Sequence, residues 1–198
     1  MSNIRSRSLE LTWHGPFTWS ESYQVAEAQL AGLYVLAVPY GAAFVTYYLG
    51  ETGKTIAERL MSHESMYRSG EFSLRDWDAF RVGVDRLLKP SFYRKYSPEQ
   101  RSQFKANMDH WRPIVEAEIK LHRIFLLPIP SWSGKEHRAL RMRLEQALGE
   151  DIAKGYPPDI PSILVGPQEY QRGQHDSWHR ATLAPCELLV GVPVEVLF

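Results

Sequence analysis

Two apolar runs separated by only four residues constrain this chain more than any other feature. Gly32 to Val38 (GLYVLAV) and Ala43 to Leu49 (AFVTYYL) are dominated by apolar, β-branched and aromatic residues, and Pro39-Tyr40-Gly41-Ala42 between them reads as a turn. Such side chains fit a pleated, buried surface, and so short a connection sets the two segments antiparallel. A β-hairpin is therefore expected at 32–49. Gly50 to Lys54 follows as a loop. Thr55-Ile56-Ala57-Glu58 has the capping-box spacing of a helix start. On that helix Ile56 and Leu60 lie on the buried stripe, while Arg59 and His63, four apart, share a neighbouring face.

The flanking segments extend the pattern. Residues 1–29 form a lead-in, with a short strand at Leu9 to Trp13 ended by His14-Gly15-Pro16, and a helical turn or loop at Ser22 to Leu30. Residues 69–113 read as a helical insertion. Leu74, Trp77, Phe80, Val84, Leu87 and Leu88 recur at helical spacing over Ser73 to Leu88, and Pro90 stops that helix. Ser91 to Tyr96 is a basic, aromatic loop, and Ser97-Pro98 opens a further helix. Ile119 to Ile129 reads as a third strand. Ser133 to Ile152 reads as a helix with Leu140, Leu144 and Leu148 on one side. Residues 156–198 form a C-terminal extension of loops and short strands. The core thus spans 30–155, and the order strand, strand, helix, helical insertion, strand, helix describes an α/β sandwich on a small sheet, a hairpin plus a third strand flanked by helices.

Composition removes several function classes. The 198 residues are 44% hydrophobic and 23% charged, which excludes a wholly disordered, collagen-like or disulfide-scaffold chain. The single cysteine, Cys186, makes no internal disulfide, and a reducing, cytoplasmic setting is the simplest expectation. No apolar run approaches the roughly 18 residues of a membrane helix, and the first ten residues carry no signal-like apolar region, so no membrane partner is expected. Lys+Arg and Asp+Glu both total 23, so any basic surface must be local.

Gly32-Leu33-Tyr34 and Tyr48-Leu49-Gly50 resemble the two halves of the GIY-YIG nuclease signature. Thr52, Arg59-Leu60 and His63 follow in the order of that family's motif, and the resemblance covers residues 30 to 66. It implies a metal-dependent DNA endonuclease, as a compact stand-alone chain of the restriction type, with Mg²⁺ or Mn²⁺ as cofactor and DNA as partner. By this resemblance Tyr34 and Tyr48 line the site, Arg59 binds the scissile phosphate, and His63 orients or relays a proton. The metal falls to a glutamate on the helix after the third strand. Glu145 in Leu144-Glu145-Gln146-Ala147-Leu148 fits that place, with Glu118 as runner-up. These residue types suit the chemistry. A tyrosine near a metal-bound water serves as general base if its pKa is lowered locally, the arginine fork suits phosphate oxygens, and one carboxylate suffices for a hydrated Mg²⁺. Lys54, Arg94, Lys95 and Arg141 are the expected nucleic-acid contacts. A cutter of both strands often acts as a dimer, which leaves a homodimer open.

Two departures stand beside the resemblance. Glu51 occupies a position where many relatives carry Lys or Gln, and a second carboxylate there repels phosphate unless Lys54 or a metal compensates. No asparagine follows the glutamate helix, since the chain's asparagines are Asn3 and Asn107. Plainer readings exist for each feature. Strand tyrosines usually pack, Arg141 and Glu145 have the spacing of an ordinary helix ion pair, and Arg59 and His63 fit a solvated face near Glu64. Gly50 to Thr55 resembles a phosphate-binding loop but has Tyr48 where that loop needs its first glycine. His175 and His179 are four apart but lack further zinc ligands. A non-catalytic nucleic-acid-binding module on the same fold, or a protein-interaction module using the six tryptophans, is the alternative to an enzyme.

Overall fold

The computed structural model describes residues 8–91, 98–161 and 179–198. In chain order the elements are β1 (Ser8–Leu11), β2 (His14–Phe17), α1 (Trp19–Ser22), a 3₁₀ turn at Ala26–Gln29, β3 (Gly32–Tyr40), β4 (Ala43–Thr52), α2 (Ile56–Arg68), β5 (Leu74–Arg75), α3 (Trp77–Arg81), β6 (Leu87–Lys89), α4 (Pro98–Ala106), α5 (Met108–Leu121), β7 (Arg123–Pro128), a 3₁₀ turn at Pro130–Trp132, α6 (Arg138–Lys154), β8 (Arg180–Leu183), β9 (Leu189–Val190) and β10 (Glu195–Leu197). The fold is mixed α/β.

A five-stranded sheet in the order β2-β7-β3-β4-β9 forms the middle layer. The hairpin β3–β4 is longer than the expected 32–49. Pairing runs from Tyr40↔Ala43 at a two-residue turn to Gly32↔Thr52, so Gly50 to Thr52 belong to the strand and not to a loop. The near-continuous apolar run of β3 is explained by burial on both faces. Leu33, Val35 and Ala37 face one core with Phe125 and Leu127 of β7, and with Leu144, Leu148 and Ile152 of α6. Tyr34, Leu36 and Val38 face a second core with Ile124 and Leu126, and with Ile56 and Leu60 of α2 and Val115 and Ile119 of α5. A strand buried on both sides loses the polar alternation of a half-exposed one.

One irregularity matters for the site. Leu36 pairs with Tyr48 and Ala37 with Thr46, so Tyr47 is an extra residue in β4. This β-bulge sets the successive side chains Tyr47 and Tyr48 against the same core, the one under α2 and α5.

Outside the hairpin several expectations are corrected. The helix expected at Ser73 to Leu88 is a short hairpin, β5–β6, with the five-residue α3 inside it. Asp76 caps α3 by accepting from the Ala79 amide, and the amides of Gly83 and Val84 return to the carbonyls of Phe80 and Ala79 and close it. Val84, Leu87 and Leu88, counted in the helical stripe, are exposed. The third strand starts at Arg123, not Ile119. Residues 119–121 end α5, and His122 turns the chain into extended geometry with ψ 141°. Glu118 is therefore on a helix rather than at a strand start. The strand expected at Leu9 to Trp13 ends at Leu11, in β1, and His14-Gly15-Pro16, expected to end it, lies in β2 of another sheet. The helix expected from Ser133 begins at Arg138, after the 3₁₀ turn. Thr55 does cap α2, its hydroxyl accepting from the Glu58 amide at 3.2 Å. In the C-terminal segment, β9 joins the edge of the central sheet beside β4. β8 forms a second sheet with β1 and β10 in the order β1-β8-β10, which packs on the α6 side of the core. Cys186 is half-buried against that core.

Candidate functional site

The hairpin and α2 bring the signature residues together. Tyr34 on β3 is fully buried, and its hydroxyl lies 3.3 Å from Nε2 of His63 on α2. Tyr34 and Tyr48 have ring centroids 6.0 Å apart, and Tyr48 and His63 5.2 Å apart. Gly50, opposite Tyr34 in the ladder, makes this crowding feasible. A Cβ there would come within 2.6 Å of both the Tyr34 hydroxyl and Cε1 of Tyr48. Arg59, one turn before His63 on α2, is close enough to both phenols to favour their deprotonated forms.

Electrostatics sets the resting protonation. Burial raises Tyr34 well above the ordinary phenol range, with the Tyr48 charge adding to it. Burial also raises Tyr48, although Tyr34 and Arg59 pull it back. The expected local lowering of a tyrosine pKa is thus absent from the resting protein, and both phenols keep their protons. His63 is pushed down to about 3, chiefly by burial and secondly by Arg59, so it is a neutral imidazole at neutral pH.

Glu145 comes from α6, on the far side of the hairpin ladder. It is 9% exposed, and burial with the repulsion of Glu51 pushes it up to about 8, against the opposing pull of Arg59 and of a backbone hydrogen bond from Glu51. Its charge is felt by Tyr48. Tyr34, Tyr48, Arg59, His63 and Glu145 are therefore one neighbourhood. Glu118 is elsewhere. It accepts from Trp77 Nε1 at 2.7 Å and lies 3.7 Å from His122 in a buried pocket under α5.

Arg141 does not pair with Glu145, four residues on. Its Nε donates to Glu51 Oε2 at 2.7 Å, and Nη1 donates to the carbonyl of Gly134 at 3.0 Å and to that of Trp132. Gly53 makes room for it. A Cβ at Gly53 would collide with this guanidinium and stand 2.8 Å from the Gly134 carbonyl. Arg141, expected as a phosphate contact, is thus buried and committed to protein partners.

A cleft of about 550 Å³ opens beside these residues, lined by Glu51, Lys54, Glu58, Arg59, Ser62, Lys135, Arg138 and Arg141 among others. Arg141 and Glu51 offset each other, which leaves four cations, Lys54, Arg59, Lys135 and Arg138, against Glu58. A chain with no net charge thus concentrates positive charge at one place. A second depression of about 560 Å³ shares Gly53, Lys54 and Glu58 with it and continues past Gln29 and Thr55. Lys135 and Ser62 were not singled out from the sequence. Their only signal was proximity to the motif after folding. Arg94 and Lys95, and His175 of the histidine pair, lie outside the described residues.

Among the described residues no cluster of three or more His, Cys, Asp or Glu is suited to a metal, and no helix is long and apolar enough to cross a membrane. No family model matches the chain, and neither a curated protein nor a solved structure matches it.

Proposed function

We propose that this chain is a metal-dependent endonuclease that hydrolyses DNA phosphodiester bonds, of the restriction type. One observation carries the reading. Tyr34, Tyr48, Arg59, His63 and Glu145, drawn from β3, β4, α2 and α6, converge beside a cleft with an excess of positive charge.

Glu145 fits a divalent cation by the chemistry of its setting. It is a buried carboxyl next to a second carboxyl, and its helix neighbour Arg141 is spent on Glu51. A divalent cation stabilises its ionised form beyond what Arg59 and the Glu51 amide supply against burial. Bound Mg²⁺ or Mn²⁺ supplies Lewis acidity and a water of lowered pKa. The remaining work falls to the chain. Arg59, exposed at the cleft, pairs with the scissile phosphate through its fork of donors. Lys54, Lys135 and Arg138 hold the flanking backbone by charge. Tyr48 orients the attacking water, and Tyr34 connects Tyr48 to the neutral Nε2 of His63, which receives the proton. Burial is the main cause of the depressed His63 pKa, and a phosphate on Arg59 offsets only the smaller part that comes from the Arg59 charge, so substrate binding raises the basicity of the acceptor in part.

The test is incubation of the purified protein with supercoiled plasmid and mixed-sequence DNA, methylated and unmethylated, under Mg²⁺, Mn²⁺ or EDTA. Metal-dependent nicking is expected, with a loss of roughly a hundredfold or more in Arg59→Lys and Tyr48→Phe. Salt-sensitive DNA binding with no cleavage in any metal would reduce the reading to a non-catalytic binding module.

A further inference from the structure

We infer that the depression adjoining the cationic cleft receives one unstacked base of the DNA strand whose backbone lies in that cleft, so that the preferred substrate is DNA carrying an unpaired or readily unpaired nucleotide. This rests on the endonuclease reading for the strand in the cleft, and it adds where a base of that strand goes.

The two adjoining spaces differ in chemistry. The cleft, of about 550 Å³, is walled by Arg59, Lys135 and Arg138. The depression, of about 560 Å³, has Leu30, Ala31 and Pro130 in its wall beside Thr55 and Ser133. Gly53, Lys54 and Glu58 line both, so the two spaces meet at these residues. Of the exposed large apolar side chains among the described residues, Leu30 is the one that lines either space, and it is 37% exposed. Apolar surface open to water beside a row of cations suits a ligand that is anionic at one end and flat and apolar-faced at the other. A nucleotide within a strand has that form, with a charged phosphate and a base whose faces are apolar and whose edge forms hydrogen bonds. The volume lies within the range of pockets that hold small ligands.

The depression is built by long-range backbone pairing. The Leu30 carbonyl accepts from the Ile56 amide at 2.9 Å, that of Ala31 from the Ile129 amide at 2.7 Å, and that of Gly53 from the Gly134 amide at 3.0 Å. These bonds tie the approach to β3, the turn between β4 and α2 and the segment after β7 into one frame. The three carbonyls are spent on that frame, and the exposed side chains of Leu30, Ser133 and Glu58 remain to meet a base. Glu58 is an anion in a cleft of cations, a cost for any phosphate. It stands where the two spaces meet, and a carboxylate there accepts from the amino group of a base, as it does from N4 of cytosine. Lys54, on the same boundary, meets the phosphate that joins the captured nucleotide to its strand. Drawing a base out of a stack costs least where the base is already unpaired, which sets the preference.

The test is binding of the full chain, in EDTA, to a duplex with one bulged 2-aminopurine, against the same duplex with an abasic analogue at that position. Wild type is expected to bind the base-bearing duplex roughly tenfold more tightly and to raise its 2-aminopurine fluorescence. Leu30→Ser withdraws the apolar wall, and Ser133→Leu fills the depression from its rim. Both side chains are exposed, and both variants are expected to lose the preference and the fluorescence rise while still binding DNA with a salt dependence. Equal affinity of wild type for the two duplexes overturns the proposal, as does a preference kept in both folded variants, and plasmid cleavage by wild type then leaves the nuclease intact. A base preference lost in the variants of a protein that cleaves no DNA supports the base pocket and overturns the nuclease. Leu30-dependent binding of free dAMP without any base preference in DNA assigns the depression to a free nucleotide and overturns the strand as its source. Failure of wild type to bind either duplex overturns both readings.

Discussion

Replacing Glu118 by Gln tests how far burial controls charge in the pocket under α5. Glu118 is 2% exposed, and burial pushes its carboxyl up from 4.5 to about 7, against hydrogen bonds from Trp77 and the Arg75 amide. Arg75 is the nearest cation, but it is ion-paired to Asp85. His122, 3.7 Å away, is pushed down to about 3 by burial, so the two meet as a neutral carboxyl and a neutral imidazole near pH 6. The folded pKa of Glu118 lies above the unfolded one. Its contribution to stability is therefore complete below pH 4.5 and is lost as pH rises through 7. The shift of two and a half units corresponds to about 3 kcal/mol. His122 acts in the opposite direction. Its depressed pKa makes stability rise with pH from about 3 to 6.5. In the wild type the two slopes cancel between pH 4.5 and 6.5. In Glu118→Gln only the histidine slope survives, so the variant gains about 3 kcal/mol on wild type between pH 4.5 and 7. Urea unfolding of both proteins at pH 4.5, 5.5, 6.5 and 7.5 measures this. Parallel stability curves would refute the reasoning, because they would mean that Glu118 titrates alike in the folded and unfolded chain.

Two further substitutions probe the hairpin side. Gly50→Ala places a methyl against the Tyr34 hydroxyl and the Tyr48 ring, and the overpacking is expected to cost about 1–3 kcal/mol and to lower DNA cleavage, read by thermal melting and plasmid nicking. Arg141→Met removes the guanidinium from Glu51 and from the carbonyls of Trp132 and Gly134. Breaking this buried pair is expected to destabilise the fold by about 3 kcal/mol in urea unfolding, and an effect below 1 kcal/mol would show that Glu51 is well solvated without it.

The parts of the fold that were legible in the sequence are the locally determined ones. GLYVLAV and AFVTYYL carry their own propensity, a short turn joins them, although it is the two residues Gly41-Ala42 and not the four expected, and Thr55 caps the next helix with its own hydroxyl. Harder cases failed for identifiable reasons. The run from Ile119 to Ile129 is apolar throughout, and apolarity alone does not distinguish the end of α5 from β7. The periodicity of Leu74 to Leu88 was genuine, but its second half is not buried, and Asp76 and the Gly83–Val84 amides confine the helix to five residues. In the candidate site the residue types were visible while their electrostatics were not. Spacing suggested an Arg141–Glu145 pair, and the structure instead joins Arg141 to Glu51 across 90 residues of chain. The bulge at Tyr47 was equally hidden. It arises from pairing with β3, and nothing in the local string TYYL announces it.

The small sheet has a consequence for the order in which this protein comes into being on the ribosome. β1 pairs in parallel with β8, 172 residues further along the chain, and β10 closes the same sheet from its other side. Leu11, Ala181, Leu183 and Val196 from these three strands cover the α6 face of the core. The hairpin β3–β4 closes over a two-residue turn and is available early, whereas that apolar face stays uncovered until the last strands have emerged. During synthesis the nascent chain thus carries an unfinished surface made of its own α6 and β3 side chains, and β1, although made long before β8, must wait for that partner.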